Sequence, residues 1–308
     1  MKNSATVFAP ATTGNVGVGF DVLGVALKSI GDIITVTKTK EVGVITISGL
    51  GGTGITTDPK KNTATVGLLK MIEDFKLHLG FEVHIQKGIP QGSGMGGSAA
   101  SAVAGVVAGN ALLKKPLTKI NLLKYALIGE SIASGSLHGD NVAPCLFGGL
   151  VLIQPSEPMN VISIPFPNDL VFVVALPNLQ VETKEARLIL QPTIPLSDFI
   201  KQSAFLSGFI AGCFKKDLKL IASSFKDIII EPQRAHMISG FYNVKTAAME
   251  NGALGCTISG AGPAVFAIAT KSKATKVKEA MIGEFEKVGA GPALAWVSSV
   301  NKRGAFLK

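Results

Sequence analysis

Arginine is scarce in this sequence: Arg187, Arg234 and Arg303 are the only three among 30 basic residues. Aromatic residues other than phenylalanine are scarce too, with two tyrosines and one tryptophan beside 16 phenylalanines. Nucleic-acid readers cluster Arg and Lys and interleave aromatics for stacking. The net charge of +9 is instead carried by lysines spread singly, which argues against nucleic acid and leaves a lysine-dotted surface or an anionic small substrate. Charged residues are only 17% of the 308, while hydrophobic residues reach 47%; disordered and fibrous classes are excluded, and the length suits about two domains. Cys145, Cys213 and Cys256 are odd in number and far apart, so there is no disulfide framework and no CxxC pattern, and a reducing, cytoplasmic setting is expected. His78, His84, His138 and His236 lack HExxH or any other metal-ligand spacing. Long apolar runs are missing as well. The longest uncharged stretch, 88–113, is broken by glycine, proline and serine in its first half, leaving about 16 residues of apolar helix against the ~20 a bilayer needs. The N-terminal apolar centre is too short for a signal peptide, so a soluble, mature protein with no membrane partner is expected.

Glycine is in surplus, 35 residues, about 11% against a usual ~7%. Between glycine-marked turns, residues 5–50 read as strands, notably 32–38 (DIITVTK) and 42–47. Helical spacing covers 62–79, strand alternation covers 81–86 (FEVHIQ), and a small-residue helix runs over 98–113, with Gly105 and Gly109 making one face nearly bare. A further helix is expected over 119–134, with Thr118 as N-cap and Gly135 as stop, then a strand at 150–153. The stretch 154–168 (QPSEPMNVISIPFPN) holds four prolines and is read as the domain boundary. Beyond it come a strand at 171–176, several helices, two strands around a glycine turn over 256–269, a lysine-rich helix over 273–287 and a strand over 293–300.

The strongest local signal is PQGSGMGGSAAS, residues 90–101, between an expected strand and an expected helix. Backbone amides of such a loop, followed by a helix N-terminus, form an anion site suited to phosphate; the alternative is a tight turn using glycine for positive φ. No Lys-Ser or Lys-Thr follows, so it is no P-loop. Gly92, Gly94 and Gly97 satisfy GxGxxG, but no Asp or Glu occurs over 83–129 to hold a ribose, which excludes the dinucleotide reading. Glu130 continues the apolar stripe Ile120, Leu123, Leu127. A carboxylate on a buried face needs a cation or donors, and Mg²⁺ beside a phosphate would serve; a frayed, solvated helix end is the alternative. His138, Gly139, Asp140 and Asn141 make a polar loop or an ordinary Asp-Asn turn, and Asn15 and Asp21 bracket GNVGVGFD. Arg187 and Arg234 suit bidentate carboxylate recognition, or surface ion pairs with Glu185 or Glu231.

Taken together, the loop, APATTGNVGVGFDVLGVAL near the N-terminus and CTISGAGPAVFAI near the C-terminus resemble the three signatures of the GHMP small-molecule kinases, in order and spanning 9–268. NVGVGFD, SGSLHGDNVAPCLFGG, VETKEAR and EPQRAHMI are similar to the branch of that superfamily that acts on L-homoserine. The resemblance implies an α+β fold in two domains, an ATP-binding one like ribosomal S5 domain 2 over 1–158 and a ferredoxin-like one over 159–308, with the active site between them. It implies a kinase using ATP and Mg²⁺ on a small-molecule substrate, L-homoserine, as a homodimer. Pro90, Gln91, Gly92, Ser93, Gly94, Met95, Gly96, Gly97, Ser98, Ala99 and Ala100 would wrap the ATP phosphates, with Asn62 near the adenine and Gly260 and Gly262 shaping a turn close by. Ser98 and Glu130 would hold Mg²⁺. Asn15, Asp21, Asp140, Asn141, Arg187 and Arg234 would grip homoserine, the arginines on its carboxylate and an aspartate on its ammonium group. Thr183, near the transferred phosphate, and Asn141 would serve the chemistry, with no residue assigned as base. Gly97 departs from the family, which commonly has a second serine there. Other GHMP kinases, acting on an isoprenoid alcohol or a sugar, and a non-catalytic sensor on the same fold are the rival readings.

Overall fold

The computed structural model describes residues 2–50, 54–135, 138–156 and 159–308, Ser134 by its backbone alone. Two sheets organise the chain. The first has seven strands: β1 (Ser4–Gly14), β2 (Leu23–Thr39), β3 (Ile45–Ser48), β4 (Gly80–Gln86), β5 (Leu150–Gln154), β6 (Asn160–Ile164) and β11 (Phe306–Leu307). Its order is β11-β1-β2-β4-β3, with β5 pairing β2 and β6 pairing β5; only β3 and β4 run parallel. Four helices belong to this unit: α1 (Thr63–Asp74), α2 (Gly97–Ala111), α3 (Lys119–Ser134) and the short α4 (Val142–Phe147), which the sequence reading did not anticipate. Asn62 caps α1, its Oδ1 accepting from the Ala64 N–H at 3.0 Å. The expected extension of α1 to residue 79 stops at Asp74 because Lys76 takes φ +48°, a left-handed conformation that ends a helix. The bare face of α2 lies against α1: a Cβ at Gly105 would come 2.0 Å from the Ala64 carbonyl oxygen, and one at Gly109 would come 2.2 Å from Leu68.

The second sheet is antiparallel, order β10-β7-β9-β8, from β7 (Leu170–Leu176), β8 (Ala253–Ile258), β9 (Val265–Thr270) and β10 (Leu294–Ser298). Between β7 and β8 lie α5 (Thr183–Leu188), α6 (Leu196–Lys215), α7 (Leu218–Ser224), α8 (Ile230–Arg234) and α9 (Phe241–Glu250), and α10 (Ala274–Lys287) joins β9 to β10. With α9 and α10, the strands form a βαββαβ unit whose sheet runs fourth, first, third, second, the ferredoxin-like arrangement. The apolar run of β7, LVFVVAL, follows from burial on both faces. Val171, Val173 and Ala175 face the cluster under α9 and α10, and Leu170, Phe172, Val174 and Leu176 face the large core shared with the first sheet, as the two-residue period of a strand dictates.

The chain is therefore α+β. The expected boundary after Pro158 lies outside the described residues, Glu157 and Pro158 being among those left out. The next strand, β6, still pairs with β5 in the first sheet, so the change of sheet falls over 165–169, and β11 returns to the first sheet at the end. No helix among the described residues is long and apolar enough to cross a membrane.

Candidate active site

A cavity of about 490 Å³ opens between the two sheets. One end of it is built by the glycine loop. β4 delivers the chain to the loop, Gly92, Gly94 and Gly96 take φ of +62°, +74° and +66°, and α2 begins at Gly97. Such alternation turns successive N–H groups to one side. Gly96, the N-cap, offers no side-chain acceptor, and the first turn of α2 has no acidic residue, so the amides at the helix start are left for a ligand. Gly94 is required by its surroundings: a Cβ would come 2.5 Å from the Ser259 carbonyl oxygen and 2.6 Å from that of Gly262. The loop is fastened to the β8–β9 turn by Ser259 Oγ donating to Gly94 O at 2.9 Å and the Ala264 N–H donating to Ser93 O at 3.1 Å.

Glu130, on α3, is 9% exposed, and its Oε1 accepts from Ser98 Oγ at 2.9 Å. Burial pushes its carboxyl up to about 7; the Ser98 hydrogen bond opposes this and the Asp140 charge adds to it. The stripe of α3 therefore does lead inward at Glu130, although Ile120 at its start is exposed. Asp140 is buried and likewise pushed to about 7, by burial first and by the charge of Asp21 second. Mg²⁺ is held by one or two carboxylates together with phosphate oxygens and water; a buried carboxylate and a hydroxyl at the start of α2 are a donor set of that kind. Among the described residues no cluster of three His, Cys, Asp or Glu forms a metal site of its own.

The other end of the cavity is assembled from distant segments. Arg187, on α5, makes a bidentate pair with Asp21, Nη2 to Oδ1 at 2.9 Å and Nη1 to Oδ2 at 3.1 Å. Arg234, 4% exposed at the end of α8, donates from Nε to Ala186 O at 2.9 Å and from Nη1 to Gly260 O at 3.2 Å. Neither arginine takes the neighbouring-glutamate pairing the sequence left open, Glu231 being paired with Lys245. Both guanidinium groups lie over the Phe20 ring, 5.3 and 5.2 Å from its centroid. Burial, then the Arg187 charge, lowers the Arg234 pKa: two like charges converge, and only one faces a carboxylate across a close ion pair among the described residues. Asn15 and Asp21 hold φ of +67° and +60°, uncommon for non-glycine residues and a mark of functional segments. Asn15 Nδ2 donates to Gly260 O at 3.0 Å, and Asn15 Oδ1 accepts from the Asp21 N–H at 3.0 Å. Asn141 Oδ1 accepts from Thr12 Oγ1 at 2.8 Å. Thr183, at the start of α5, lines the same cavity.

Eighteen of the expected site residues line this one cavity; Met95, Ala99, Ala100 and Gly262 do not. The side chains of Met95, Ala99 and Ala100 point into the core beneath the loop, each with 0% exposure, and Gly262 backs the loop through its carbonyl. Ser136 and Leu137, within the segment SGSLHGDNVAPCLFGG, lie outside the described residues. Sequence reasoning missed Phe20 and Lys87 as lining residues and named His138, which also lines the cavity, only as a member of a polar loop. His138 Nδ1 lies 3.4 Å from Asp21 Oδ2, and burial lowers its pKa. Lys87 stands on the apolar parity of β4, after Phe81, Val83 and Ile85, a periodic position where a lysine signals a buried partner.

The geometry agrees with relatives of known fold. The chain matches the GHMP kinases N terminal domain over residues 62–149 and the GHMP kinases C terminal domain over 209–287. It is 40% identical to a homoserine kinase of Chloroherpeton thalassium, over 97% of this chain and 98% of that one. It is 41% identical to a homoserine kinase of Xylella fastidiosa, over 99% and 94%. The crystal structure of homoserine kinase from Cytophaga hutchinsonii superposes with a TM-score of 0.95 at 43% identity, covering 100% of this chain and 98% of that one. With the glycine loop, the buried Glu130 and the paired arginines set in one cavity between two sheets of this order, the chain belongs to the homoserine kinases of the GHMP kinase family.

Proposed function

We propose that this small-molecule kinase transfers the terminal phosphoryl group of ATP, with Mg²⁺, to the side-chain hydroxyl of L-homoserine, giving O-phospho-L-homoserine for threonine synthesis. One observation carries the reading: a single cavity has amides at one end left for an anion, and its lining also holds a guanidinium with no close carboxylate partner among the described residues and a buried acid. A phosphate suits the first. The second suits a zwitterion, carboxylate toward Arg234 and Arg187, ammonium toward Asp140 or Asp21. In this reading a substrate carboxylate competes with Asp21 for the fork of Arg187.

Phosphoryl transfer passes through a loose transition state, so positioning and charge stabilisation supply most of the acceleration. The loop amides and the start of α2 hold the phosphates and face the charge that develops on their oxygens. Ser98 and Glu130 would hold Mg²⁺, which neutralises phosphate charge when bound. Asn141, fixed by Thr12, and Thr183 line the same cavity and would serve the acceptor hydroxyl and the transferred group. No residue is assigned as base; the hydroxyl proton leaves with the phosphoryl product. The proposal includes a cytoplasmic enzyme, supported by three buried free cysteines, and a homodimer, supported by the exposed apolar side chains Leu188, Leu196, Phe199 and Ile200.

The test is ADP release from Mg·ATP with L-homoserine, D-homoserine, L-serine, mevalonate and galactose in parallel. Turnover confined to L-homoserine is expected. Preference for mevalonate or galactose would overturn the reading of the arginines, and ATP binding without turnover on any of them would make the chain a sensor.

A further inference from the structure

Asp32 and Lys87 take no part in the mechanism above, yet among the described residues they are the most deeply buried ion pair. Both fall on the buried parity of their strands: Asp32 precedes Ile34 and Val36 on β2, and Lys87 follows Val83 and Ile85 at the end of β4. The antiparallel register pairs Ile33 with Gln86, so the next rung brings Asp32 against Lys87. Asp32 is 0% exposed. Its Oδ1 accepts from the N–H groups of Gly88 and Ile89 at 2.9 and 3.0 Å, at the entry to the glycine loop. Its Oδ2 accepts from Lys87 Nζ and, at 3.3 Å, from Ser101 Oγ. Lys87 Nζ in turn donates to Gly97 O at 2.9 Å and to Ser101 Oγ at 3.0 Å, at the exit of the loop and the first turn of α2. One carboxylate thus ties both ends of the loop.

A buried ion pair is a weak source of stability, and a cation beside a helix N-terminus opposes the helix dipole. Neither term explains the pair as a stabilising device. We infer that Asp32 and Lys87 are positioning residues for the phosphate loop: by fixing the spacing between residues 88–89 and the Gly97–Ser101 turn they set the cradle's width, and with it the affinity for Mg·nucleotide, Asp32 from behind the cavity and Lys87 at its lining.

The inference rests on the reading of the loop as a phosphate site, and the test separates the two. Binding of Mg·ADP by calorimetry and thermal stability are measured on the full chain for wild type, Asp32→Asn, Lys87→Met, the double variant and Lys87→Arg. Lys87→Met leaves a buried carboxylate unpaired and should lower Tm most; removing both charges relieves that cost, so the double variant should regain Tm. If the pair positions the loop, the double variant still binds Mg·ADP about tenfold more weakly than wild type, one charge-assisted contact's worth, while Lys87→Arg, which keeps donors to both Asp32 and Gly97 O, recovers most of the affinity. Recovery of affinity together with Tm in the double variant would overturn the inference and leave the pair a structural one. Wild-type protein that binds no Mg·ADP would overturn the reading of the loop itself.

Discussion

The two ends of the cavity are built on opposite plans. The end built by the glycine loop is dominated by one contiguous stretch of backbone: glycines at positive φ, a helix start without a side-chain cap, and loop carbonyls fastened to the β8–β9 turn. The other end is made of polar and charged side chains from four separated segments, Asn15–Asp21, Asp140–Asn141, Arg187 and Arg234, with both arginines over the Phe20 ring and Asn15 and Arg234 on the Gly260 carbonyl oxygen. Backbone recognition depends on shape, and side-chain recognition depends on charge. Each end should therefore break in its own way.

Gly94→Val attacks shape. With φ +74° and a Cβ 2.5 Å from the Ser259 carbonyl oxygen, the variant should lose measurable Mg·ADP binding by calorimetry while circular dichroism stays native, and retained affinity would make the loop only a turn. Glu130→Gln attacks a buried charge beside the loop; turnover should fall about 100-fold, the scale of a lost metal-site partner, with a raised Mg²⁺ requirement in a titration of rate against Mg²⁺. An unchanged requirement would take Glu130 off the metal. Arg187→Leu attacks charge at the far end and should raise KM for homoserine about tenfold, one ion-pair contact, with KM for ATP unmoved; equal changes in both constants would erase the distinction between the ends.

The smallest effect is on stability against pH. Glu130 titrates near 7 in the folded chain against an ordinary 4.5, so between those values the folded state holds a proton the unfolded state has lost. Stability therefore falls as pH rises from about 4.5 to about 7, and the full cost is present above that. Glu130→Gln should raise Tm by a few degrees at pH 8 and leave it unchanged at pH 4.5, measured by calorimetry. Asp140, also raised to about 7, keeps a residual slope in the variant.

The contrast also explains what could be read from the sequence. A loop whose function is local announces itself in twelve consecutive letters, and helix α3, with Thr118 before it and a left-handed Gly135 after it, ends where its glycine says. The arginines' partners could not be read, because Asp21 lies 166 residues from Arg187 and no local rule reaches that far. Asp32 and Lys87 could have been found from strand parity alone. The proline-rich stretch carries two signals at once: Pro155 belongs to the β5–β6 hairpin and Pro165 and Pro167 to the link between the sheets, so composition alone does not separate the two breaks.

Phe172 and Phe266 of the second sheet stand in the same apolar cluster as Val7 and Leu23 of the first. The linker over 165–169 is therefore not what joins the two halves. A protease that cut it would leave a nicked molecule whose pieces run together on gel filtration and part only in denaturant, because the attachment is solvent-excluded surface and not a peptide bond.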